Sequence, residues 1–282
     1  MPMRNSIESS VSGYSFQVPE FNPSRDLEAL RCYTRTMQRE KVYIYGKHAV
    51  AEAVEHATHV VKKVFLSPVF DDEKIKNLLE KKKITIATLK GSDMVGNDAV
   101  HQGIVAIIDT EALLVPFETF IQTLNISKKP ALVLLGELQD PHNVGAIIRS
   151  AAAMGLSAVL IPEHRNAPIT GAVVKTSAGM AFRIPLVTIG NVNQTIRLLK
   201  DKGFWTYGLA GKGAQSLIDE SFSEPSLFIV GNEGKGIREK TEELCDILLR
   251  IPVHPRTESL NAAASAAIVF YEWSRGHQGA LK

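Results

Sequence analysis

The sequence predicts an α/β protein in which a small α/β domain precedes a larger domain built on a mostly parallel sheet. Three observations carry that expectation. Short apolar runs alternate with amphipathic stretches from Lys41 onward. The runs in the second half are apolar almost throughout, as strands covered on both faces require. A blurred stretch containing Pro116 and Pro130 separates the two series.

Residues 1–40 are rich in Ser, Asn and Pro and weakly periodic, which predicts a flexible N-terminal extension with one helix at 26–39. Residues 41–110 read as the first α/β domain, with strands at 42–46, 60–66, 84–88 and 103–108 and helices at 48–56 and 72–82. Residues 111–130 read as a linker with a short helix at 117–124. Residues 131–282 form the second domain. Its strands are expected at 132–136, 158–161, 184–187, 204–209, 227–230 and 248–251. Its helices are expected at 143–154, 169–178, 192–202, 237–245 and 261–276. Ligands of such sheets bind beyond the carboxyl ends of the strands.

A chain of 282 residues is comfortable for two domains. Its net charge of +2 announces no partner by itself, although Lys62-Lys63, Lys81-Lys82-Lys83 and Lys128-Lys129 form local basic runs. With only Cys32 and Cys245, neither a disulfide framework nor a cysteine-based metal site is expected, which points to the reducing cytoplasm. No apolar run approaches the roughly 18 residues of a membrane span. Residues near the N-terminus lack the apolar core of a signal peptide, and Glu8, Glu20, Asp26 and Glu28 disfavour a transit peptide.

Three strand ends look chemical. After the strand at 132–136 comes Asp140-Pro141-His142-Asn143-Val144-Gly145-Ala146-Ile147-Ile148-Arg149-Ser150-Ala151. Asn143 is a candidate helix N-cap. Arg149 has Gly145, Ala146, Ala152 and Ala153 as helical neighbours, so another backbone or a ligand should approach that face closely. The second strand end is Val230-Gly231-Asn232-Glu233-Gly234-Lys235-Gly236-Ile237, a glycine-rich loop carrying Glu233. Its glycine spacing fails the dinucleotide fingerprint, and no stretch satisfies the P-loop pattern, so an ordinary NAD or ATP enzyme is disfavoured. The third runs from Ile251-Pro252 to Ser259-Leu260-Asn261 and into an alanine-rich helix. Proline there ends the strand ladder, and Ser259 is the candidate N-cap.

In combination and order, these segments resemble the SpoU (TrmH) family of RNA ribose 2′-O-methyltransferases, within the SPOUT superfamily. Asn143 through Ser150 is similar to the family's first motif, Val230 through Gly234 to its second, and Ile251-Pro252 through Asn261 to its third. Tyr45-Gly46-Lys47-His48-Ala49-Val50 and His101-Gln102-Gly103-Ile104-Val105-Ala106 resemble the N-terminal substrate domain of members that modify a guanosine of large-subunit ribosomal RNA. Two stretches depart from the pattern. His254 through Glu258 replaces a smaller, glycine-containing run, and Ala262-Ala263-Ala264-Ser265 replaces a Val-Ser-Val-Ala-like one.

The resemblance implies a deep trefoil knot, a homodimer with its active site near the subunit interface, and S-adenosylmethionine as cofactor; because the sulfonium charge disappears as the methyl group moves, no metal is expected, and no membrane partner is. It implies that Gly231, Ile251 and Leu260 contact the cofactor through main chain, and that Asn143, Arg149, Glu233, Ser259 and Asn261 form the catalytic group. It also casts Arg149 as a base. A guanidinium stays protonated at ordinary pH, so its chemistry better suits holding a phosphate beside the target ribose. RNA in which the ribose is accessible is the expected partner. The alternatives are a transfer-RNA ribose methyltransferase and a non-catalytic RNA-binding or ribosome assembly factor.

Overall fold

A computed structural model of the chain describes residues 41–89, 101–213 and 215–281. The expected extension at 1–40, with its helix at 26–39, lies outside the described residues.

The first sheet has the order β1-β4-β2-β3, from β1 (Val42–Tyr45), β2 (Val61–Leu66), β3 (Ile86–Thr88) and β4 (Ile104–Ile108). β4 pairs antiparallel with β1 and β2, and β3 pairs parallel with β2. Helices α1 (Lys47–His56) and α2 (Glu73–Lys81) share one core with it, where Val50, Val54, Val64, Leu79 and Ala106 are fully buried. Asp72 starts α2 by accepting a hydrogen bond from the Ile75 amide at 3.3 Å.

The stretch read as a linker contributes to the second sheet. β5 (Leu114–Pro116) pairs with β8 (Leu186–Ile189) as its edge strand, and α3 (Phe117–Thr123) buries Phe117 and Phe120. A three-residue strand ending in proline has too little alternation to read from sequence, and proline is tolerated there because an edge needs no further donor.

The second sheet is parallel in every pairing and runs β10-β12-β9-β11-β6-β7-β8-β5. Its remaining strands are β6 (Ala131–Leu135), β7 (Ala158–Pro162), β9 (Trp205–Leu209), β10 (Gln215–Ser216), β11 (Ser226–Val230) and β12 (Ile247–Arg250). Every residue of β6, β7 and β11 is buried, as strands covered on both faces must be. One face meets α4 (Pro141–Ala153), α5 (Gly171–Thr176) and α8 (Ala262–Gly276); the other meets α3 and α6 (Val192–Asp201).

The expected helix at 237–245 is shortened to α7 (Glu239–Glu242). Leu244 and Cys245 bond back three residues, to Thr241 and Glu242, so the turn tightens instead of propagating. Burial pushes the Cys245 thiol up to about 12, with Glu242 and Asp246 adding to the effect, which leaves it unreactive at neutral pH.

The two sheets belong to one compact unit, Lys41–Lys282. Arg183 joins them with a forked ion pair, its Nε and Nη2 donating to the two Glu52 oxygens at 2.6 and 2.8 Å. The Glu52 side chain is 9% exposed and that of Arg183 44%. The Arg183 hydrogen bond holds the Glu52 carboxyl below its ordinary 4.5 against the opposite push of burial, with His56 and His48 adding positive potential. A depressed carboxylate contributes stability above its unfolded pKa and loses it as pH falls through the folded value. Glu52→Gln is therefore expected to cost about 2 kcal/mol at pH 7, discounted because Arg183 reaches water. The difference should shrink as pH falls below about 4.5. Urea unfolding of both proteins at pH 7 and pH 4 checks this; an equal difference at the two values would rule out the charge as its origin.

Candidate active site

The carboxyl ends of β9, β11 and β12 open onto a cavity of about 330 Å³, within the roughly 300–1,000 Å³ of small-molecule sites. One wall is the loop after β11. Asn232 and Gly236 exchange two main-chain hydrogen bonds of 2.9 Å, and Asn232 Oδ1 accepts from the amides of Gly234 and Lys235 at 3.0 and 3.2 Å. The loop closes on itself with Glu233 near its tip and Gly236 at φ 69°, a left-handed conformation that favours glycine. Gly231 lies directly against Gly236, where no side chain fits. The opposite wall is the segment after β12, with Ile251, His254, Glu258, Ser259 and Leu260.

Behind the loop, three side chains form a directed chain. Asn261 caps α8, its Oδ1 accepting from Ala263 and Ala264 amides at 2.9 and 3.2 Å. With that oxygen committed, Asn261 Nδ2 donates to Asn143 Oδ1 at 2.9 Å. Asn143 Nδ2 in turn donates to Glu233 Oε1 at 2.9 Å. The helix amides thus set the orientation of both amide side chains, so that an N–H of Asn143 points at Glu233, whose oxygen accepts it. Asn143 is only 8% exposed, and inside a protein such a chain is strengthened by mutual polarisation.

Two cap assignments are corrected. Asp140, not Asn143, caps α4, accepting from the His142 amide at 2.8 Å. Pro141 takes the first helical position, where its missing N–H costs nothing, and draws the start forward. Asn261, not Ser259, caps α8; Ser259 lines the cavity instead. Releasing Asn143 from the cap lets its side chain reach Glu233.

Of the other residues singled out by sequence, Gly231, Glu233, Ile251, Ser259 and Leu260 line the cavity. Arg149 does not. It is exposed on α4, and no hydrogen bond or ion pair holds it among the described residues. The close approach expected on its face is present one turn earlier. A Cβ at Gly145 would lie 2.7 Å from Thr176 Cβ and 2.9 Å from the Val173 oxygen, so α5 packs there backbone to backbone.

Sequence reasoning passed over Asn232, whose side chain both shapes the loop and donates to the Glu137 carbonyl at 2.9 Å. An asparagine two residues before Gly234 is a turn signal that could have marked it. His254 and Glu258, noted only as departures from a motif, also face the cavity. Among the described residues, no group of three or more His, Cys, Asp or Glu is placed to hold a metal, and no helix is long and apolar enough to cross a membrane.

Comparison with known proteins places the chain in a family. Residues 130–271 match the SpoU rRNA Methylase family, and residues 43–113 match the RNA 2′-O ribose methyltransferase substrate binding family. The chain is 35% identical over 235 residues to the 23S rRNA (guanosine-2′-O-)-methyltransferase RlmB of Pseudomonas syringae, covering 81% of this chain and 93% of that protein. It is 32% identical over 237 residues to the protein of the same name from Neisseria meningitidis, covering 82% and 94%. In fold it is similar to the SpoU methyltransferase AviRb from Streptomyces viridochromogenes in complex with AdoMet, with TM-score 0.73 and 22% identity over 92% of this chain and all of that one.

Proposed function

The chain belongs to the SpoU family of RNA methylases, and from that membership we propose that it methylates the ribose 2′-hydroxyl of a guanosine in large-subunit ribosomal RNA. One observation carries the reading to the residues: Asn261, Asn143 and Glu233 form a single hydrogen-bonded chain that ends at Glu233, which lines the same cavity as Gly231, Ile251 and Leu260.

The cavity suits S-adenosylmethionine. Its walls come close at Gly231, where a Cβ finds no room, and two carboxylates, Glu233 and Glu258, line it against the single guanidinium of Arg250. That balance favours a cofactor bearing a positive sulfonium. Gly231, Ile251 and Leu260 would hold it. When bound, it supplies an electrophilic methyl group. The protein's part is to place a poor nucleophile in line and ease the loss of its proton. Asn143 and Asn261 orient Glu233, Ser259 lines the same cavity, and Arg149 grips the phosphate next to the target ribose.

Arg149 reaches that position from a partner protomer, because it is exposed and does not line the cavity of its own chain. Homodimerisation suits the exposed Ile268 and Tyr271, three residues apart on α8. The segment after β12 threads through a loop of the catalytic domain as a trefoil knot. Residues 41–110 form the domain that holds surrounding RNA and residues 131–282 the catalytic domain, whose sheet also takes β5 from the joining stretch at 111–130, and the enzyme works in the cytoplasm. Lys63, over the Phe65 ring at 5.4 Å, is placed to meet RNA from the first domain, whereas Lys62 is drawn to Asp109 at 3.2 Å.

Mapping 2′-O-methyl groups in total RNA from cells with and without the protein tests the function. One methylated guanosine of large-subunit ribosomal RNA should disappear and transfer-RNA sites should persist. Loss confined to transfer RNA would move the target; loss of no ribose methylation anywhere would remove the enzymatic reading.

A further inference from the structure

A second cavity, of about 530 Å³, opens at the carboxyl ends of β6, β7 and β8. It lies beside the first, because the loop after β11 borders both: Gly231, Asn232, Glu233 and Gly236 line the proposed cofactor cavity, while Ile237 and Arg238 line this one.

At its centre Glu137 holds two guanidinium groups on one carboxylate oxygen. Arg238 Nη2 lies 2.6 Å and Arg165 Nη1 3.5 Å from Glu137 Oε1. The Arg165 and Arg238 side chains are 61% and 55% exposed, so most of their donors point away from Glu137 toward solvent. Lys240 adds a third cation to the lining, against Glu137 and Glu239. Glu137 and Arg165 both adopt left-handed backbone conformations, φ 64° and 66°. Non-glycine residues hold such conformations where the surrounding structure enforces them, and they concentrate at functional sites. The Asn232 hydrogen bond to the Glu137 carbonyl ties this arrangement to the loop carrying Glu233.

We propose that this cavity receives the nucleotide flanking the methylated one, with Arg165 and Arg238 gripping its backbone phosphate as a pair. Two guanidinium groups drawn to one carboxylate oxygen can share the two non-bridging oxygens of a phosphodiester between them. Glu137 is a positioning residue that sets their separation. The assignment rests on the chain acting on RNA, as proposed above.

The test uses the full-length protein and an unmodified large-subunit ribosomal RNA transcript. Arg165→Gln and Arg238→Gln should each raise the KM for RNA about tenfold, by the loss of a charge-assisted contact. The double variant should flatten the log–log salt dependence of RNA binding by about one. The dissociation constant for S-adenosylmethionine, measured by calorimetry, and kcat should move less than threefold. A double variant with unchanged RNA KM and salt slope overturns the proposal. So does a parallel loss of cofactor affinity, which marks a merely structural ion pair. If the wild type binds inorganic phosphate and the double variant loses that binding with RNA affinity intact, the cavity serves a free anion and the proposal falls. A wild type that binds cofactor but methylates no RNA defeats the underlying function instead, and is recognised before any variant is compared.

Discussion

Gly231→Ala is expected to abolish cofactor binding, raising the dissociation constant of S-adenosylmethionine at least a hundredfold. A Cβ at this position collides with the carbonyl carbon of Gly236 and the amide nitrogen of Ile237, and lies 2.5 Å from the Gly236 oxygen. All three are main-chain atoms, so no rotamer change relieves the clash. The loop must open instead, breaking the paired hydrogen bonds between Asn232 and Gly236 and displacing Glu233 from Asn143. Overpacking of this kind costs about 1–3 kcal/mol of stability, an effect separable from binding by thermal unfolding without cofactor. Gly234→Ala is the matched control: its nearest neighbour is Asn232 Oδ1 at 3.7 Å, and its amide is kept. Calorimetry on both variants decides the matter. Wild-type affinity in Gly231→Ala would mean that the cofactor does not rest against this loop.

The contrast between these two glycines marks where sequence reading stops. Most strands were legible because their apolar runs are short and bounded, and β6, β7 and β11 are uniformly apolar, as full burial demands; the two- and three-residue edge strands β10 and β5 were not, because runs so short carry no pattern. The three loops were legible because each carries unusual residues just after a strand. What failed was local competition. Asp140 and Asn143 are both competent caps, and Pro141 decided between them; Ser259 and Asn261 competed likewise. The helix at 237–245 was over-extended because Ile237, Leu244 and Cys245 imitate a helical stripe while packing from a loop and tight turns. The chain from Asn261 through Asn143 to Glu233 joins residues 118 and 90 positions apart, a relation no local pattern contains. The left-handed backbone at Glu137 and Arg165 leaves no trace either, since neither residue type favours it.

Arg149→Gln is expected to lower the methyl-transfer rate about a thousandfold while leaving cofactor affinity within threefold of wild type, because the residue lies outside the cavity proposed for the cofactor. Arg149→Lys keeps the charge and loses the planar fork, so it should fall about a hundredfold; a full rate in that variant would remove any need for a guanidinium. The position of the residue makes a sharper demand. Glu233→Gln removes the carboxylate that Asn143 and Asn261 orient and should also inactivate the enzyme. If Arg149 serves the partner's cavity, a mixed dimer of the two inactive variants places both substitutions in one site and leaves the other intact. Activity should then return to about one quarter of wild type, since half the dimers in an equal mixture are mixed and each has one sound site. If Arg149 serves its own chain, every site in the mixture carries a defect and no activity returns. Refolding the two variants together and measuring methyl transfer therefore tests the assignment of Arg149 to the partner, and a mixture as inactive as its components would overturn it.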